Sequence, residues 1–245
     1  MSIVGIKKIR NFRTLSCRAI RMDWHEINAS LIDLMDTGNE NAAIDSFIVN
    51  PWKDTTAQRR RNSGRYKDPE STWGYGTKGF QYGRKAHVSQ DIDSTAILEW
   101  NITTASIHDS KVAIEMIDSV RYHEYILMDA AYDSSEIYDY VMENTHALPV
   151  IDTNKRRGIV PNNLAFNRKQ GIIIREREKS RYRLRWEIER TFSILEEILH
   201  CENIFYLSNR NYDVTMGERI VAYNCIVMVN QIRQRPKREI MDIVI

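Results

Sequence analysis

The order of short apolar runs limits this chain more than any other feature. "AAIDSFIVN" (residues 42–50) has the length and β-branched content of a buried strand. "FQYGRKAHVSQD" (80–91) alternates imperfectly, "TAILEWNITTA" (95–105) follows after the turn-like "QDIDS", and the two read as an antiparallel pair. A helix then starts at "HDSKVAIEMIDSV" (108–120), with Asp109 or Ser110 as N-cap. "YILMDA" (125–130) is a further strand, "DSSEIYDYVMENT" (133–145) an amphipathic helix capped by Asp133 or Ser134, and "ALPVID" (147–152) a strand with its proline near one edge. Three strands followed by helix, strand, helix and strand make a mixed α/β order. Between them, the polar stretch from Pro51 to Gly79 and the basic stretch from Thr153 to Ser180 read as loops. Two helices close the chain, "YRLRWEIERTFSILEE" (182–197) and "DVTMGERIVAYNCIVMVNQIRQ" (213–234).

With 245 residues and 42% apolar content, one substantial core is expected. The basic, weakly helical residues 1–42 form a separate segment, residues 43–235 the main domain and 236–245 a tail. The net charge of +2 does not by itself announce a nucleic-acid binder, so local clustering must carry that argument. Cys17, Cys201 and Cys225 are odd in number and far apart, which argues against a disulfide framework or a structural zinc site and for a reducing, cytoplasmic setting. No signal peptide or membrane span is evident in the sequence.

On a helical wheel of "YRLRWEIERTFSILEE" and its continuation, Leu184, Ile188, Phe192, Leu195 and Leu199 fall within roughly 80° as a core-facing stripe. Tyr182, Arg185, Glu189 and Glu196 fall within roughly 60° on the margin of that stripe. Spacing alone allows a solvated flank with an Arg185–Glu189 ion pair worth a few tenths of a kcal/mol. Two further acids change the balance. Asp45 lies within one apolar run and Asp129 ends another, and an acid in a buried strand is unfavourable unless paired or bound to metal. If those strands are adjacent, Asp45, Asp129 and Glu189 can converge. Three carboxylates without a cation repel one another, and hard divalent ions relieve that, so Mg²⁺ is implied, with Mn²⁺ as a substitute and zinc disfavoured by the all-oxygen set. Two such ions suit in-line phosphodiester displacement.

At this point the residues resemble the DDE transposases of bacterial and archaeal insertion sequences. "AIDSFIVN" looks like that family's first-aspartate strand, "LMDAAYDS" its second, and "YRLRWEIERTFSILEE" its Y-x2-R-x3-E-x6-K signature, with Glu196 where the family usually has lysine. "GRKAHV" and "ASIHDSK" also resemble stretches that follow the first aspartate. The resemblance implies a ribonuclease-H-like mixed sheet flanked by helices, with Asp45, Asp129 and Glu189 as catalytic metal ligands. It implies that Tyr182 and Arg185 hold the DNA backbone, and that the partners are element ends, target DNA and a second copy of the chain in a synaptic complex within a prokaryotic nucleoid.

Arg59, Arg60 and Arg61, together with Lys155, Arg156 and Arg157, lie in basic loops that around such a site would gather DNA phosphates through counterion release. His108 is a polar residue ahead of an N-cap or a group near the site. Trp73 and Tyr75 read as packing their loop onto the body, with base stacking as the alternative. Trp100 and Trp186 read as core or half-core. The expected activity is metal-dependent cleavage at element ends and strand transfer. The alternatives are a truncated remnant that only binds DNA, suggested by the short N-terminal segment and Glu196, and a nuclease without strand transfer.

Overall fold

The computed structural model describes residues 12–50, 70–76, 79–155, 164–201 and 208–239. Among them are strands β1 (Asn41–Val49), β2 (Thr72–Gly76), β3 (Gly79–Asp91), β4 (Ile97–Thr104), β5 (Tyr125–Met128) and β6 (Leu148–Ile151). The helices are α1 (Phe12–Ala19), α2 (Trp24–Ile32), α3 (Ala113–Asp118), α4 (Ser135–Asn144), α5 (Phe166–Arg177), α6 (Lys179–Tyr182), α7 (Trp186–Ser193) and α8 (Asn209–Ile232).

β3 pairs antiparallel with both β1 and β4, while β5 runs parallel to β1 and β6 parallel to β5. The central order is therefore β4-β3-β1-β5-β6, with β2 added along β3. Three antiparallel strands followed by two parallel ones on the far side of the first is the ribonuclease-H-like arrangement. The parallel half requires crossovers, and α3 and α4 supply them.

Each face of the sheet is covered, because the apolar residues of β1 alternate in direction. Ala43 and Val49 join Val88, Ile188, Leu195 and Ile220 on one side. Ala42 and Ile44 join Met116, Ile137 and Val141 on the other. Each fully buried large apolar side chain contributes on the order of 1.5–3 kcal/mol. α2 belongs to the first cluster: Trp24, Leu31 and Ile32 pack against it. The buried Asn28 donates to the carbonyls of Ile97 and Leu98 and accepts from Asn224 of α8.

Several elements differ from expectation, each for a tertiary reason. β2 lies inside the stretch expected to be loop, because Trp73 pairs with Tyr82 and Tyr75 with Phe80 across β3. The Trp73 ring stacks on Phe80 at 5.3 Å, whereas Tyr75 is 80% exposed. α5 lies inside the second expected loop. Its Gly171 sits where any Cβ would come within 2.0 Å of Tyr138, so the glycine permits a close crossing with α4 that local pattern does not reveal.

The "HDSK" helix is capped by neither Asp109 nor Ser110. The His108 imidazole accepts from Ser110 N, and the segment begins as a 3-10 turn, Asp109–Lys111. Ser134 caps α4 as expected, leaving Asp133 to bind Arg168 through both guanidinium arms. The closing helix is composite: a 3-10 turn (Arg183–Arg185), α7, then a π turn (Ile194–Ile198). Leu184 and Trp186 are 38% and 60% exposed, so Trp186 is not core: it lies on the side of the helix opposite Ile188, Phe192 and Leu195; Trp100 is fully buried.

Candidate active site

β1 is longer than its parallel neighbour. β5 pairs with Asn41–Ile44 and ends at Met128, so Asp45 is the first residue of β1 beyond the shared ladder and Asp129 the first after β5. In-register neighbours in a parallel pair project to the same face, which brings the two carboxylates to one corner of the sheet. α7 crosses β1 at that corner, where Phe47 and Phe192 meet at 4.6 Å, and brings Glu189, with Arg185 of the preceding 3-10 turn, to the cavity of the acids. The three predicted acids line one cavity of about 560 Å³.

Arg185 organises the group. One guanidinium nitrogen donates to Asp45 Oδ2 at 2.6 Å and another to Glu189 Oε1 at 2.7 Å. Asp45 Oδ1 accepts from Ser46 N, and Asp129 Oδ1 accepts from Ala131 N, both at 2.8 Å. Burial pushes the Asp45 carboxyl up to about 7; Arg185 and the Ser46 amide oppose the rise, while Asp129 and Glu189 add to it. Asp129 is also shifted up by burial, against the Ala131 amide and Arg185.

The cavity is acidic well beyond this triad. Among the described residues its lining holds five carboxylates, with Asp109 and Glu196 added, against two cations, Arg185 and Lys85. No three acidic, imidazole or thiol groups among the described residues already stand as a metal-ligand cluster. The donor set nonetheless suits a hard divalent cation: it is all oxygen and it carries excess negative charge, while burial, with Asp129 and Glu189, holds Asp45 toward protonation against Arg185.

The other predicted residues divide. Tyr182 is half-buried, with the Arg175 guanidinium 3.7 Å over its ring and Arg185 at 5.9 Å. Tyr75 lines the cavity, whereas Lys155 is exposed beyond β6 and does not. His108 is a turn cap outside the lining. Arg59, Arg60, Arg61, Arg156 and Arg157 lie outside the described residues.

Sequence reasoning passed over three residues that share the cavity: Ser46, Lys85 and Asp109. Ser46 Oγ donates to Asp109 Oδ1 at 2.7 Å, and Lys85 Nζ stands 3.1 Å from the same oxygen. Burial pushes the neighbouring His87 imidazole down to about 4, with Asp109 opposing and Lys85 adding to the fall. The available signal was the alternation of Lys85, His87 and Ser89 with Ala86 and Val88 along one strand.

The sheet is ribonuclease-H-like, with one acid midway along its central strand and another just after the parallel neighbour of that strand. Residues 43–225 match the family described as "Transposase DDE domain", and the chain belongs to that family, which supports a transposase function. Members of that family generally use divalent metal ions. No significant match is found among curated proteins. Among solved structures, the Mos1 mariner paired end complex with Mn is similar at 16% identity and a TM-score of 0.28, over 91% of this chain and 67% of that one. Among the described residues no helix is long and apolar enough to cross a membrane.

Proposed function

We propose that this transposase cuts DNA at the ends of its element and joins the freed 3′-hydroxyl to target DNA, using Asp45, Asp129 and Glu189 as its catalytic acids. The observation that supports this most is the meeting of three carboxylates, from β1, from the end of β5 and from α7, on one cavity with a large excess of negative charge. A phosphodiester would be repelled by that lining alone. Asp45, Asp129 and Glu189 are the residues that would hold Mg²⁺ or Mn²⁺. Bound there, the ions would neutralise the lining, activate the attacking oxygen and stabilise the departing one.

The chain's own groups supply orientation. The Ser46 amide holds Oδ1 of Asp45 and the Ala131 amide holds Oδ1 of Asp129, while Asp45 Oδ2 is taken by Arg185. Arg185 is committed to Asp45 and Glu189; once other positive charge stands among the acids, its guanidinium is released to contact a DNA phosphate from the turn that leads into α7. Tyr182 fixes the approach of that arginine. Arg59, Arg60, Arg61, Lys155, Arg156 and Arg157 extend the DNA contact, and two copies of the chain act on paired duplex ends within the nucleoid.

Labelled element ends incubated with protein and Mg²⁺ test the proposal. Nicked and joined products from the wild type, absent in EDTA and in Asp129→Ala, support it. Equal cleavage by both proteins removes Asp129 from the mechanism. Binding without any cutting assigns a DNA-binding remnant, and cutting without joined products assigns a nuclease.

A further inference from the structure

The position where the family signature usually carries lysine is Glu196, and it lines the cavity as one more negative group. A DNA strand drawn into this site meets only two cations among the described residues, Arg185 and Lys85. Arg185 already bridges two acids. Lys85 is the group left to examine.

Lys85 enters from β3, opposite Ile48 of β1 in the antiparallel register. Its side chain is 8% exposed, yet it lines the cavity. The ammonium donates to the carbonyl of Ile107 at 2.9 Å and stands 3.1 Å from Asp109 Oδ1. Asp109 is itself held by Ser46 Oγ, and its carboxylate is available to both partners because His108 caps that turn instead. An ammonium has three hydrogens; one is donated to the Ile107 carbonyl and the charge is paired with Asp109, which leaves a hydrogen to spare.

A purely structural ion pair is a poor account of this arrangement. Buried pairs contribute little net stability over apolar replacements of similar volume, and an apolar pair on this strand would pack with Ile48. A structural pair also gains nothing from opening onto a cavity with excess negative charge.

We infer that Lys85 is a phosphate-binding residue of the site, oriented by Asp109 and the Ile107 carbonyl so that its remaining hydrogen meets a backbone phosphate of the DNA strand. It supplies from β3 the positive charge absent at position 196. This rests on the proposed DNA-cutting function, but its test reads binding and not cleavage.

The test uses the full-length protein, a fluorescein-labelled DNA duplex and Ca²⁺ in place of Mg²⁺, with affinity measured by anisotropy across a salt series. Lys85→Met is expected to weaken binding on the order of tenfold and to lower the slope of log affinity against log salt by about 1, the signature of one lost phosphate contact. Lys85→Arg, which keeps the charge, is expected to retain the wild-type slope. A residue that only supports the fold would lower the melting temperature without moving that slope. A wild-type slope in folded Lys85→Met overturns the inference. Should Lys85→Met fail to melt cooperatively, Asp109→Asn decides: the charge remains but loses its orienting partner, so affinity should fall at an unchanged slope, and wild-type affinity overturns the inference. Nicking of supercoiled plasmid by the wild type and by Asp129→Ala, run in parallel with Mg²⁺, shows separately whether the cutting function itself holds.

Discussion

Asp45 and Asp91 lie on neighbouring strands of one sheet, both largely withdrawn from water, and their surroundings push them in opposite directions. Asp91 ends β3 as the acceptor for a turn: the amides of Gly38, Asp93 and Ser94 and the Ser94 hydroxyl all donate to it, and His123 Nε2 stands 3.5 Å away. Burial alone would raise its carboxyl, but His123, Ser94 and Gly38 outweigh that and hold it below the usual range. Asp45 has one amide and one guanidinium, with two like charges nearby, and is raised to about 7. The first acid is held charged by its partners within the fold, whereas the second keeps a raised affinity for its proton despite Arg185 and the Ser46 amide, the contrast expected between a structural carboxylate and the catalytic one proposed above.

The largest expected effect is on activity. Asp45→Asn and Asp129→Ala should each lower metal-dependent nicking at least about 10³-fold, or about 4 kcal/mol of barrier, while melting at or above the wild-type temperature because a repelling charge is gone. A large loss of melting temperature in either would erase the contrast with Asp91. Next, Asp91→Ala should cost about 3–5 kcal/mol of stability in denaturant titration, since it strands several buried donors; a loss under about 1 kcal/mol would show that the turn does not depend on it.

Acidity sharpens the comparison further. Asp45 binds its proton more tightly folded than unfolded, so in EDTA the folded state should lose up to about 4 kcal/mol as pH rises from about 4 to 7. Asp91 acts in reverse: its contribution is present above about 3.9 and is lost on acidification. Thermal melts across pH should therefore flatten between 4 and 7 in Asp45→Asn, and identical profiles for wild type and variant would remove the assigned cause. The smallest effect belongs to His25, set between Glu99 and Asp213 and stacked on Trp100 at 3.9 Å. Burial would lower its titration, but the two acids raise it to about 10, so its stabilisation is full below about 6.5 and fades as pH rises toward 10. With a side chain more than a third exposed, His25→Gln should cost no more than about 0.5–1 kcal/mol at neutral pH.

The strands β1, β3, β4, β5 and β6 were legible because each carries its own apolar pattern and turn signals, whereas the neighbourhood of β1 and β5 was only a condition that the pattern left open. β2 and α5 were not, since one depends on aromatic partners across β3 and the other on Gly171 fitting against Tyr138. At the site, Asp45 and Asp129 stood out as acids inside apolar runs, and Glu189 by its place on a wheel. Lys85 and Asp109 were hidden because each has an ordinary local explanation, a polar strand residue and a helix cap, that only the meeting of β3 with the 105–112 connection dispels.

The π turn after α7 has a consequence for how such a site can vary. From Ile194 onward the backbone closes a wider ring, with Leu199 N reaching back five residues to Ile194 O. Side chains beyond Ser193 no longer keep the angular phase that aligns Arg185 with Glu189. Residue 196 thus rides on a separate piece of geometry from the acids, so the cavity's rim can exchange one charge for another while its floor stays in place.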